Sequence, residues 1–137
     1  MPLAIVITLQ SPVPAAPALP KNVTGKSLAK EADKLDFLAR TAGVQQPSSM
    51  LSEPRDALVA QLVADGFDPA KMRLPPERFF PAADGLKVLA AIIAHIAEKP
   101  NDVKQPVALL RDLRAYESTL RAADAAGVQF HFTKADV

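Results

Sequence analysis

Only two stretches of this 137-residue chain read as β-strands, and they lie at opposite ends with helices and connectors between them. A lone strand leaves its backbone N–H and C=O groups without partners, so this placement restricts the fold severely. The first stretch, Pro2-Leu3-Ala4-Ile5-Val6-Ile7-Thr8-Leu9, is uncharged and rich in β-branched residues, the composition of a strand buried on both faces. The second, Val128-Gln129-Phe130-His131-Phe132-Thr133, alternates strictly and predicts a strand with one buried face. The two ends are therefore expected to pair with each other. Failing that, the N-terminal strand must pair across a homodimer interface.

Residues 1–20 carry no charge. A secretory leader would explain that, with Ala16-Pro17-Ala18 near its cleavage site. No Lys or Arg precedes the apolar run, however, and Pro17 disrupts the cleavage pattern, so a structural strand over 1–10 is the better reading. Pro12, Pro14, Pro17 and Pro20 make 11–24 an extended connector, because proline lacks the ladder N–H and restricts its neighbour. No run approaches the roughly 20 apolar residues of a membrane span.

Four helices are expected between 27 and 126. The first, Ser27 to Ala42, carries Leu28, Ala32, Leu35, Leu38 and Ala39 on one face and stops at Gly43. The second follows Ser52 as N-cap, with Leu58, Val59, Leu62 and Val63, and stops at Gly66. The third lies between Pro81 and Pro100; Leu86, Val88, Leu89, Ile92, Ile93 and Ile96 cover most of its circumference, as in a central helix. The fourth runs from Pro106 to Ala126 on a stripe of Leu109, Leu113, Tyr116, Leu120 and Ala123, with Gly127 as its stop. The long loop 66–81 holds Phe67, Met72, Leu74, Phe79 and Phe80 and should lie down over the core. The result is a mainly helical α+β fold in one domain over 1–137, about four helices packed with a small sheet pairing the terminal strands.

Several function classes lose their footing. Cysteine is absent, which excludes disulfides, thiolate metal sites and cysteine nucleophiles, and fits a cytoplasmic protein. A net charge of +1 gives no bulk attraction to nucleic acid or anionic membrane. Gly25-Lys26-Ser27 has the ending of a phosphate-binding loop, but Pro20 occupies the position where the pattern needs its first glycine. Thr24 or Ser27 is then expected to cap the first helix. His95 and His131 are the only histidines, on different elements, too few for a zinc site. His95 is expected to be a hydrogen-bonded core residue and His131 a partly solvated one. No catalytic residue, metal or cofactor is assigned.

Two surface features remain. Arg111, Arg114 and Arg121 project from one side of the fourth helix, where arginines can meet phosphates or acidic partners, although Asp112 and Glu117 dilute their field. Phe37 falls on the charged side of the first helix, either covered by a connector or exposed as a partner anchor.

Gly25-Lys26-Ser27-Leu28-Ala29 leading into Leu35-Asp36-Phe37-Leu38-Ala39, then Phe80-Pro81-Ala82-Ala83-Asp84-Gly85-Leu86, and finally Leu113 to Phe132 together resemble an uncharacterised family of small bacterial α+β proteins of unknown function. The resemblance implies the same layout and no catalytic residues. The leading expectation is a non-catalytic cytoplasmic protein-interaction module of immunity or regulatory type, using Phe37 and the arginines. The alternative is a small-molecule-binding protein or enzyme, with a pocket between loop 66–81 and the third helix lined by Phe79, Phe80 and His95.

Overall fold

In the computed structural model, which describes residues 3–16, 19–74 and 76–136, the two end segments pair antiparallel. Strand β1 (Leu3–Leu9) and strand β2 (Phe130–Asp136) align with Leu9 opposite Phe130 and Leu3 opposite Asp136. Pairing within one chain supplies the partner that the first strand requires. The connector prolines Pro12, Pro14 and Pro20 are described; Pro17, like Pro75 of the long loop, lies outside the described residues.

Strand β2 begins two residues later than the alternation predicts because the preceding residues close a helix. The Gly127 N–H bonds the Asp124 carbonyl at 3.1 Å and the Val128 N–H bonds the Ala123 carbonyl at 2.9 Å, a Schellman closure on a left-handed glycine. The same two bonds recur at Gly43-Val44 and Gly66-Phe67, so all three glycine stops lie where the sequence places them.

Among the described residues there are five α-helices where four are expected: α1 (Lys26–Lys30), α2 (Ala32–Ala42), α3 (Arg55–Ala64), α4 (Ala82–Glu98) and α5 (Pro106–Ala125). The extra one arises at Glu31, whose φ of −106° and ψ of 17° interrupt the first expected helix. Its N–H closes α1 on the Ser27 carbonyl and its carbonyl opens α2 by accepting from Leu35. The break has a tertiary cause. Helix α1 is held against β1 and α5, whereas α2 packs on α4, and one straight helix does not follow both.

The core fills the space between these helices and one face of the sheet. Leu35, Leu38, Leu89, Ile92, Ile96, Leu109, Leu113 and Leu120 are fully buried there, together with Phe130 and Phe132 from β2. Burying a side chain of this size contributes about 1.5–3 kcal/mol. Strand β1 is less buried than its composition predicts: Ala4 and Ile5 are buried, Val6 to Leu9 half-buried and Leu3 exposed. It is an edge strand, tied down on its free side at Ile5. The Ile5 N–H bonds the Gly25 carbonyl at 3.0 Å, and the Ile5 carbonyl accepts from the Tyr116 hydroxyl at 2.7 Å.

That contact also explains Gly25-Lys26-Ser27. Gly25 sits at φ 80°, and a Cβ there would collide with the Ile5 carbonyl oxygen and the Tyr116 hydroxyl. The glycine serves close packing of α1 on β1. Neither Thr24 nor Ser27 caps α1, whose N-cap is Gly25 itself, with no side-chain cap bond. Thr24 accepts from the Lys26 N–H at 3.3 Å, and the Ser27 hydroxyl donates to buried Asp112 at 2.8 Å. Burial, together with the nearby Asp112 charge, pushes the Tyr116 hydroxyl far above its ordinary range, so it remains a proton donor.

Candidate functional site

The outer face of the sheet, away from the helical core, carries Thr8, His131 and Thr133. Alternation predicts a partly solvated face here, yet His131 is 0% exposed. The segment between Ser52 and Phe80 covers it. At one end the Ser52 N–H bonds the Phe132 carbonyl at 2.9 Å; at the other, Phe80 and Phe130 exchange both backbone bonds. The two ends also bond each other. The Ser52 hydroxyl accepts from the Arg78 N–H at 2.9 Å, and Glu77 accepts from the Arg55 N–H at 3.2 Å. The segment thus leaves the sheet and returns to it through one narrow neck.

Glu77 and His131 form the centre of that neck. Glu77 Oε2 lies 2.6 Å from His131 Nε2, and the Phe79 ring packs on the imidazole at 5.0 Å between centroids. The His131 hydrogen bond holds the Glu77 carboxyl below its ordinary range, against the opposing effect of desolvation. His131 Nδ1 is 3.2 Å from the Thr133 hydroxyl, which meets the Thr8 hydroxyl at 2.7 Å. A Thr–His–Glu sequence of this kind resembles a catalytic relay. Nδ1 also lies 3.0 Å from the Phe132 carbonyl, an oxygen that only accepts, so this nitrogen is shared between that carbonyl and the Thr133 hydroxyl. The chain of groups ties the neck to the outer face of the sheet.

Beyond the neck, α3 is held loosely. None of its residues is buried, and a cleft of about 340 Å3 separates Pro54, Leu58 and Gln61 from Thr133 and Ala135 of β2. Val63 at its end is 59% exposed, followed by Phe67 at 56% and Met72 at 42%. Among the described residues, the contacts of the long loop with the sheet come from its last part, through Glu77, Phe79 and Phe80.

A separate cavity of about 90 Å3 opens on the core side of the sheet. Leu28, Leu35, Leu89, Ile92, Leu113 and Phe132 form its wall. Asp33 and Asp36 from α2 and Lys134 from β2 stand at its mouth, with Pro47 and Ser48 of a short 310 turn.

The expected site residues are scattered. Phe37 is 50% exposed, covered by neither connector, and Lys34 and Arg40 stand 5.1 and 6.0 Å from its ring centre. Arg111, Arg114 and Arg121 are all exposed on α5. Arg111 meets Asp112 at 3.4 Å and Arg121 meets Glu117 at 3.1 Å, so only Arg114 lacks a carboxylate partner among the described residues. Phe79, Phe80 and His95 do not share a pocket. Phe80 precedes α4, whereas His95 lies near its other end, about 20 Å along the axis. His95 is also not a core residue; it is half-buried and meets Asp102 at 2.7 Å, which holds that carboxyl below its ordinary range. Among the described residues no three His, Asp or Glu side chains gather as metal ligands, and no helix is long and apolar enough to cross a membrane.

Fold and site together define a mainly helical α+β protein with a two-stranded sheet and a helical excursion tied at its neck. No protein-family model, curated protein or solved structure matches the chain.

Proposed function

We propose that this is a non-catalytic cytoplasmic protein-interaction module of immunity or regulatory type, whose contact surface is the apolar end of α3 and the turn that follows. The observation that carries this reading is Val63, Phe67 and Met72, three large apolar side chains exposed in succession on an excursion whose helix has no fully buried residue. Exposed apolar clusters of this kind lower their free energy by meeting another surface. The rigid neck and the loose α3 suit that role, since the sheet fixes the base while the helix adjusts to a partner. Phe37 is the weaker candidate, because two cations already stand over its ring.

The test is a triple substitution, Val63→Ser with Phe67→Ser and Met72→Ser, carried in the native host beside the unaltered protein. The unaltered protein should retain a partner that rebinds when both are purified, and the variant should lose it while unfolding at the same temperature. Identical behaviour of the two proteins, with no partner rebinding to either, would overturn the proposal.

A further inference from the structure

We infer that the core-side cavity binds a small aliphatic zwitterion, an α-amino acid whose branched side chain enters the apolar interior while its two charged groups remain at the mouth. The interior sets the first requirement. Its wall is aliphatic and aromatic, and no buried side-chain nitrogen or oxygen among the described residues is left without a partner, so nothing inside calls for a polar group or water. An apolar cavity of about 150 Å3 accepts benzene, so the 90 Å3 here corresponds to about four carbons, the size of a leucine or isoleucine side chain.

The mouth sets the second requirement. Asp33 and Asp36 stand on α2, one wall, and Lys134 on β2, the other. None of the three takes part in an ion pair among the described residues, so opposite charges face one opening without meeting. Asp36 is partly fixed, because one of its oxygens accepts the Ser48 N–H at 3.1 Å and the other is left for a ligand. An α-ammonium group directed at α2 and an α-carboxylate directed at Lys134 satisfy both walls at once. A simple alkyl carboxylate would meet two like charges, and a simple alkylamine would meet Lys134 unpaired.

Methyl-resolved NMR titration of the full chain with L-leucine tests this inference, alongside isovalerate, isoamylamine, L-alanine and L-phenylalanine. Leucine should give saturable shifts at Leu28, Leu89 and Ile92, with isovalerate and isoamylamine each binding about tenfold more weakly. Alanine lacks the tail and phenylalanine exceeds the cavity, so neither should shift those methyls. Lys134→Ala and Asp33→Asn alter exposed side chains and should each weaken leucine by about fivefold or more. The inference is overturned if leucine gives no saturable shift, if either singly charged analogue binds as well, or if both variants bind leucine unchanged.

Discussion

Glu77 and His131 stand 54 positions apart in the chain and 2.6 Å apart in space, and their contact fastens the whole α3 excursion to the outer face of the sheet. Phe79 shields the pair on one side, and the Arg55 N–H takes the second carboxylate oxygen. A polar link in a shielded position is costly to leave half-made, because the remaining partner keeps its desolvation penalty.

Glu77→Gln should therefore cost about 1–3 kcal/mol near neutral pH, read as a lower urea midpoint with an unchanged slope. The pH dependence follows from the lowered Glu77 pKa. Its stabilisation is fully present above the ordinary value of 4.5 and disappears as pH falls through the lower value in the folded protein. Wild type and variant should differ at pH 7 and converge as the pH falls below the lowered Glu77 pKa. A gap that keeps its size throughout an acid titration would show that the carboxylate charge contributes nothing.

Gly25→Ala should be far more damaging than Gly43→Ala, although both glycines have positive φ. The left-handed conformation alone costs a non-glycine residue about 1–2 kcal/mol, and that is the whole expected effect at Gly43, where a Cβ meets nothing within 4 Å. At Gly25 the added carbon meets the Ile5 carbonyl and the Tyr116 hydroxyl, so the bond between them must also break, for a total on the order of 3 kcal/mol. Thermal unfolding of the two variants side by side distinguishes these values.

Leu38 and Phe37 are adjacent on α2 and should respond to truncation by very different amounts. Leu38→Ala empties a fully buried site and should lose about 2–5 kcal/mol. Phe37→Ala acts at an exposed position, where Lys34 and Arg40 stand over the ring, and should cost about 1 kcal/mol or less. Chemical denaturation of both variants provides the comparison.

Helix α3 should open far more readily than the rest of the fold. Its amides have no buried side chains above them, whereas α4 carries Val88, Leu89, Ile92 and Ile96 in the core. Hydrogen exchange should show α3 opening at a free energy well below that of global unfolding, and α4 exchanging near it. Equal protection of the two helices would contradict the loose attachment described above.

The parts legible in the sequence were those governed by local rules. Left-handed glycines followed by an apolar residue mark the ends of α2, α3 and α5, and backbone accounting alone demands that β1 and β2 meet. The break at Glu31 was hidden because helix-forming residues flank it on both sides, and its cause is the anchoring of α1 on distant Ile5 and Asp112. The burial of His131 was hidden for a similar reason. Alternation assigns it the outer face, but whether that face meets water depends on Glu77 and Phe79, which arrive from an irregular loop. Leu58, Val59, Leu62 and Val63 mark α3 as a helix, and no local signal announces that it stays at the rim. Nor does spacing place Asp33, Asp36 and Lys134 at one opening, since that depends on how α2 crosses β2.

The pairing of β1 with β2 also imposes an order on biogenesis. Thr8 and Thr133 are 125 residues apart, so at translation speeds of about 5–20 residues per second the first strand waits roughly 6–25 s for its neighbour to leave the ribosome. Throughout that interval an uncharged, β-prone segment has an unpaired edge, a hazard for aggregation. Its earliest hold is the bond from Ile5 to Gly25, available once only twenty further residues have emerged. The nascent chain thus depends on one glycine to park its first strand while the helices assemble, and the sheet is the last element completed.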